Sequence, residues 1–410
     1  MDRKYKVAFY GGYTIHSAGD DAPLAFITAE LEARFPGQLE FVVFSRHPNE
    51  SFDDYFNVRT IKNFEYPSRE EAAHRWMRGL NFDDDRGDLA RIAEEIESSD
   101  IVILGAGNFI TELALDIFKG HLAQFLVISY IAELCNTPVI FYGLSANVIK
   151  NRWTARSVAR MFESARLLTF REPKAIENLK LADIPLPDFR LLPDPAFGAP
   201  GASAEIAQTV LGMENIQLST GPVLGVSVRD LSWMGGDQLY FENVTNLIQR
   251  WCKDSDRSVL FIPQCTYNKD SGITDDRYLA NSIYECLADD IKSRVHVVKG
   301  EYYYKEIQSL YLSVDIALAT RLHGCVFALT AHKPVVGLAY EDKVAGLFQS
   351  MELEEWCLSW NASTDEMLSK LESALSKRSD LERRISQAVL EKREAIKEYV
   401  DCVEQVLVSG

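Results

Sequence analysis

No apolar run in the sequence approaches the ~18 residues that a membrane-crossing helix requires. The longest, 122–134, is interrupted by Gln124 and Ser129 and reads as a buried helix. There is no CxxC pair either. The seven cysteines (Cys135, Cys252, Cys265, Cys286, Cys325, Cys357, Cys402) are scattered and odd in number, which excludes a disulfide framework and a zinc ribbon. No GK[ST] triplet exists, so a Walker loop is ruled out. Gly105-Ala106-Gly107 comes nearest to a dinucleotide-binding turn, but Ile110 stands at its sixth place. Metal-ligand spacing is missing: His323 and His332 are nine residues apart and His296 stands alone. Positive charge is also scarce. With 43 Lys and Arg against 60 Asp and Glu, the formal net charge is -17, which excludes a broad footprint for nucleic acid or anionic lipid. An anionic ligand needs a local basic cluster instead. The opening residues 1–13 carry no apolar signal core, so a cytoplasmic protein is expected.

What is present is a regular alternation of short apolar strands and amphipathic helices, the pattern of parallel sheets with helices on their faces. The 410 residues suit two domains. Strands are expected at 6–10, 40–44, 100–104, 138–142 and 167–170, and then at 223–228, 259–262, 295–298, 315–319 and 335–338. The Pro- and Gly-rich stretch 193–201 divides the two series. The expected domains are 1–200 and 201–362, both Rossmann-like, with C-terminal helices in 363–410 packing across them and a break near Ser379 and Asp380.

The sharpest cluster is Arg321-Leu322-His323, at the carboxyl end of one strand and just before a helix. Open α/β sheets bind ligands on that rim, and free amides at the helix start favour an anion. Arg presents a fixed fork to phosphate or carboxylate, and His exchanges a proton near neutral pH. Read alone, the pair fits better a surface Arg and a His that caps or pads the turn. Other strand ends carry Arg229-Asp230, Pro263-Gln264 and Glu341-Asp342-Lys343. Each offers a ligand contact, or a loop-holding pair or solvated lysine. In the first half, Gly11-Gly12 and Gly105-Ala106-Gly107-Asn108 follow strands, and Asp20 or Asp21 suits a helix N-terminus. Trp233 and the run Tyr302-Tyr303-Tyr304 are aromatic faces for a sugar or for packing. Arg171 is placed to pair with Glu172.

Taken in order, these strand ends resemble the polysaccharide pyruvyl transferase family. The matching residues are Gly11-Gly12 with Gly19-Asp20, Gly105-Ala106-Gly107, Arg171-Glu172, Asp194-Pro195-Ala196-Phe197, Arg229, Pro263-Gln264, Arg321-Leu322-His323, then Pro334, Tyr340 and Lys343. They span roughly residues 6 to 350. The resemblance implies a GT-B-like fold, two doubly wound domains facing each other across a cleft. It also implies a ketal-forming enzyme that moves a pyruvyl group from phosphoenolpyruvate to a sugar of a cell-surface polysaccharide. Arg229 and Arg321 would hold the donor phosphate and carboxylate, with Leu322, Gln264 and Lys343 nearby, and His323 would act as acid/base.

The saccharide acceptor, possibly lipid-linked, would face the first domain at Gly11, Gly12, Asp20, Gly105 and Asn108. No cofactor or metal is implied, phosphoenolpyruvate being a co-substrate. Two other readings stay open: a GT-B glycosyltransferase with a nucleotide-sugar donor, and a non-catalytic sugar-binding member. Among the remaining histidines only His16, in the opening loop, is expected to reach a cleft, from the opposite domain. His47, His74 and His121 lie away from strand ends.

Overall fold

The alternating apolar runs form two parallel sheets. The computed structural model describes residues 4–64, 88–112, 121–235, 237–253, 256–267 and 274–409. His74 lies outside them. The first sheet contains β1 (Tyr5–Tyr10), β2 (Leu39–Ser45), β3 (Arg59–Lys62), β4 (Ile101–Ile110), β5 (Val139–Ala146), β6 (Ala165–Phe170) and β7 (Arg190–Leu191). Their order is β3-β2-β1-β4-β5-β6-β7. The second contains β8 (Val223–Ser227), β9 (Ser258–Phe261), β10 (Val295–Val297), β11 (Ile316–Ala319), β12 (Val335–Ala339) and β13 (Cys357–Ser359), in the order β10-β9-β8-β11-β12-β13.

The central strands are apolar along their length because both faces are covered by helices. Val7 to Tyr10, Ile101 to Leu104 and Ile316 to Ala319 are all buried. The helices follow the expected stripes: Ile92 and Ile96 are buried on helix Asp88–Glu97, and Val244, Leu247, Ile248 and Trp251 on helix Asp237–Trp251.

In each sheet the strand order reverses beside the first strand, which creates a crevice at the carboxyl ends. In the first sheet this point lies between β1 and β4, where Tyr10 pairs with Leu104. In the second it lies between β8 and β11, where Ser227 pairs with Ala319.

The two compact units differ in makeup from the expected domains. The first comprises Met1–Ile15, Pro23–Gly198 and Ala395–Gly410, and the second His16–Ala22 and Ala199–Glu394. The change near residue 200 therefore falls between Gly198 and Ala199. The tail is shared out: helix Thr364–Ser376 and nearly all of helix Arg378–Ala395 belong to the second unit, helix Lys397–Ser409 to the first. The break expected at Ser379 and Asp380 falls at Lys377, which caps the preceding helix, so both residues lie inside the next one. The glycine triplet also differs from expectation. Gly105 to Gly107 do not follow β4 but lie within it, at positive φ for the two glycines.

Candidate active site

Arg229 stands two residues beyond Ser227, and Arg321 two beyond Ala319. Ser227 and Ala319 are register partners on neighbouring strands, so the two arginines leave the sheet side by side at its switch point. Tyr340, just past β12, gathers the cations. Arg229 donates from Nη1 to the Tyr340 hydroxyl, with its guanidinium 4.8 Å from the centre of that ring. Lys343 Nζ lies 5.4 Å from the same ring and pairs with Glu341. Tyr340 also lies within electrostatic reach of Arg321. Trp233 joins them edge-on, 6.3 Å from Tyr340 and 6.0 Å from the Arg229 guanidinium, with its ring largely exposed. A π face holds a cation without neutralising it, so Arg229 keeps its charge available for an anion.

Arg321 has a firmer anchor. Its Nε donates to Asp276 Oδ1 at 3.0 Å and its Nη2 to the same oxygen at 2.5 Å, with a further bond from Nη2 to the Thr274 carbonyl at 3.2 Å. Asp276 is buried and also accepts from the backbone amides of Gln264 at 2.9 Å and Cys265 at 3.0 Å. Burial opposes the charge on Arg321, and the Asp276 carboxylate overcomes it, holding the guanidinium above its ordinary value. Asp276 was not among the residues singled out in the sequence. Its signal is modest: Asp275-Asp276-Arg277 opens helix Asp276–Glu285, with Asp275 as its cap.

Gln264 takes a different part from the one expected of its side chain. Its Nε2 donates inward, to Tyr311 Oη at 3.0 Å and the Ile262 carbonyl at 3.2 Å. Its backbone carbonyl accepts from Ala18 N at 3.0 Å, while Thr266 N donates to the His16 carbonyl at 3.0 Å. These bonds and the antiparallel Ser17–Cys265 bridge fix residues 16–22 in the second unit. Cys265 takes no thiolate part there, because burial pushes its thiol up to about 11.

His323 lies in the first turn of helix Leu322–Thr330, capped by Arg321, and its ring rests against Gly19. A β-carbon built on Gly19 would fall 1.9 Å from His323 Nδ1 and 2.3 Å from Cγ. Leu322 is buried beside it. Asp20, expected on the acceptor side, belongs instead to the unit of Arg321 and His323. Helix Ala18–Arg34 begins before both aspartates, so Asp20 and Asp21 occupy its first turn. His16, expected from the opposite domain, is in the same unit as well. It stacks on Tyr303 at 5.4 Å and 14°, with Nε2 3.9 Å from Glu301 Oε2.

In the first unit Gly11 and Gly105 meet at the switch point, where a β-carbon on Gly11 would lie 2.5 Å from the Gly105 carbonyl oxygen. Tyr13 donates its hydroxyl to that same carbonyl. Gly12 is buried between them in sequence, and Asn108 donates from Nδ2 to Asn147 Oδ1 at 2.9 Å. Arg171 does not pair with Glu172. Its Nη1 donates to Asp194 Oδ2 at 2.8 Å and its Nε to Ser145 Oγ at 2.8 Å, in a nearly buried pair that ties β6 to the Asp194-Pro195 turn. Tyr302 and Tyr304 are also structural, donating to Glu214 Oε1 at 2.9 Å and the Pro200 carbonyl at 3.0 Å.

Solved structures with the same GT-B fold are numerous. HepE from Anabaena, solved with UDP-glucose, superposes with a TM-score of 0.64 at 10% identity, over 99% of this chain and 100% of that one. The UDP-GlcNAc 2-epimerase of Neisseria meningitidis, solved with UDP-GlcNAc, gives 0.57 at 12% identity over 98% and 100%. The UDP-forming α,α-trehalose-phosphate synthase of Burkholderia vietnamiensis gives 0.58 at 12% over 100% and 98%. At such identities the likeness establishes the fold alone. The family model of the polysaccharide pyruvyl transferases matches residues 19–342, from the glycine under His323 to the start of helix Asp342–Ser350. By that match the chain belongs to the polysaccharide pyruvyl transferase family.

Proposed function

We propose that the protein transfers the pyruvyl group of phosphoenolpyruvate to two hydroxyls of one sugar in a cell-surface polysaccharide or its precursor, in the cytoplasm, releasing phosphate. The observation that carries this reading is the placing of Arg229 and Arg321 two residues beyond register-paired strand ends, with Lys343 and Tyr340 beside them. Phosphoenolpyruvate carries two anionic groups, phosphate and carboxylate, on one carbon. Arg229 and Lys343 suit the mobile phosphate, because neither is bound by a buried carboxylate. Arg321, fixed by Asp276, suits the carboxylate that must not move.

The methylene carbon of the donor takes a proton from His323, and one sugar hydroxyl forms a C–O bond to the adjacent carbon. The C–O bond to phosphate then breaks, phosphate departing with the electron pair. A second hydroxyl attacks the same carbon and closes the ketal. The two hydroxyl protons released balance the one taken up by carbon and the one carried off by phosphate. Cationic side chains facing the departing phosphate lower the barrier by stabilising charge as it develops. Positioned proton transfer contributes typically ~10²–10⁴-fold.

The test is phosphorus NMR of the purified protein with phosphoenolpyruvate and polysaccharide precursor sugars, with mass analysis of the sugar. Free phosphate and a ketal mass on the acceptor are expected, and both are expected to vanish in Arg229→Ala. UDP-glucose supplies the opposite arm: sugar transfer or stabilisation by UDP-glucose, with no effect of phosphoenolpyruvate, would replace this reading by a nucleotide-sugar transferase.

A further inference from the structure

We propose that the start of helix Arg152–Glu163 and the adjoining face of helix His121–Cys135 form a docking surface for an anionic membrane. On an acidic chain of net charge -17, this face of the first unit is aromatic and basic. The Trp153 ring is 58% exposed and has two guanidiniums near it, Arg152 at 5.2 Å and Arg156 at 5.4 Å from its centre. Val148, Tyr130 and Leu134 are exposed large apolar residues on the preceding loop and the neighbouring helix. The two helices adjoin, since Arg160 of one reaches Glu133 of the other at 3.3 Å.

The nearby acids are turned elsewhere. Glu133 and Glu163 both pair with Arg160, the latter at 2.7 Å. Glu112 accepts from the backbone amides of Lys150 at 2.5 Å and Asn151 at 3.0 Å. Arg152 and Arg156 have no carboxylate partner among the described residues, although Arg152 stands in a first helical turn, where the helix dipole disfavours a cation. Tryptophan and arginine together suit the headgroup layer, where the indole sits at the water boundary and each cation gains from anionic lipid. No helix among the described residues is long and apolar enough to cross a membrane, so the contact is with the surface only.

The experiment is co-sedimentation of the full chain with vesicles of phosphatidylglycerol and phosphatidylcholine, and with phosphatidylcholine alone. Binding is expected only to the anionic vesicles and is expected to weaken in high salt. Arg152→Glu with Arg156→Glu, and separately Trp153→Ala, should each lower it by roughly tenfold or more. Circular dichroism of both variants, whose changed side chains are exposed, is expected to match the parent. Equal binding to neutral vesicles, absence of binding, or unchanged binding in the variants would each overturn the proposal. So would a dimer in sedimentation velocity that the same variants convert to monomer, which would assign the face to a second copy of this chain.

Discussion

Gly19 and His323 are packed so closely that no side chain fits between them: a β-carbon on Gly19 would lie 1.9 Å from Nδ1 and 2.7 Å from Cε1 of the imidazole. Gly19 is fixed from the other side, because Ala18 N is bonded to the Gln264 carbonyl and Ser17 bridges Cys265. The ring is the part that must yield. Gly19→Ala is expected to leave phosphoenolpyruvate affinity nearly unchanged while lowering turnover by roughly a hundredfold, within the range attached to a misplaced proton-transfer group. Titration of donor binding alongside phosphate release checks both halves. Equal turnover in the variant would mean that the ring position does not matter.

A second expectation concerns Arg321, which is part of the fold as well as of the donor site. Arg321→Ala leaves Asp276 buried with the backbone amides of Gln264 and Cys265 still donating to it but with no cation beside it among the described residues. Removing one partner of a buried ion pair typically destabilises by about 3–5 kcal/mol. Urea unfolding should therefore show Arg321→Ala much less stable than Arg229→Ala, whose guanidinium rests on Tyr340 and Trp233. Equal midpoints for the two variants would rule out this structural part. Arg321→Lys should recover some stability but bind donor poorly, because an ammonium cannot reproduce the two-nitrogen contact with Asp276.

How far such relationships can be read from sequence depends on their range. The rim position of Arg229 and Arg321 was legible because short apolar runs mark where strands end. That Arg321 meets Asp276, or that His323 meets Gly19, was not. Those contacts depend on sheet order and on residues 16–22 crossing to the second unit, and no local periodicity records either. Arg171 shows the same limit. Its neighbour Glu172 looked like its partner, yet the parallel pairing of β7 with β6, Leu191 opposite Phe170, brings Asp194 to it instead. Asp194 had been visible only as one letter of the Asp-Pro-Ala-Phe segment.

Asp21 gives a pH expectation. Its carboxyl is fully buried in the first turn of helix Ala18–Arg34, and neither oxygen has a hydrogen-bond partner among the described residues. Burial, reinforced by the charge of Asp20, holds its pKa well above the usual carboxylate range. The folded protein thus keeps this proton at pH values where the unfolded chain has lost it. Stability from this group is full below the ordinary carboxylate pKa and declines as pH rises toward the elevated one. Asp21→Asn removes the ionisation but keeps the shape. The variant should match the parent near pH ~4 and exceed it by at least about 1 kcal/mol at pH ~8, since an unpaired buried acceptor carries a penalty of that order. Thermal melts across that range decide it. A difference that is constant with pH would show that Asp21 does not titrate in the folded state.

The last expectation separates His323 from His16, both in the second unit. His323 follows Arg321 by two residues at the end of β11, in the first turn of a helix, with its ring held against Gly19. His16 is held differently, stacked on Tyr303 and facing Glu301 at 3.9 Å. That arrangement suits a residue that fastens residues 16–22 in place, where stacking matters and proton exchange does not. His323→Gln keeps a hydrogen-bonding side chain but cannot pass a proton, so turnover should fall ~10²–10⁴-fold while donor binding survives. His16→Phe keeps the stack and loses the contact with Glu301, so its turnover should stay within about threefold of the parent, whereas His16→Ala loses the stack as well. If His323→Gln forms ketal within about tenfold of the parent rate, His323 is not the acid. If His16→Phe also collapses, the proton comes from His16, and the stack with Tyr303 is then the device that aims it.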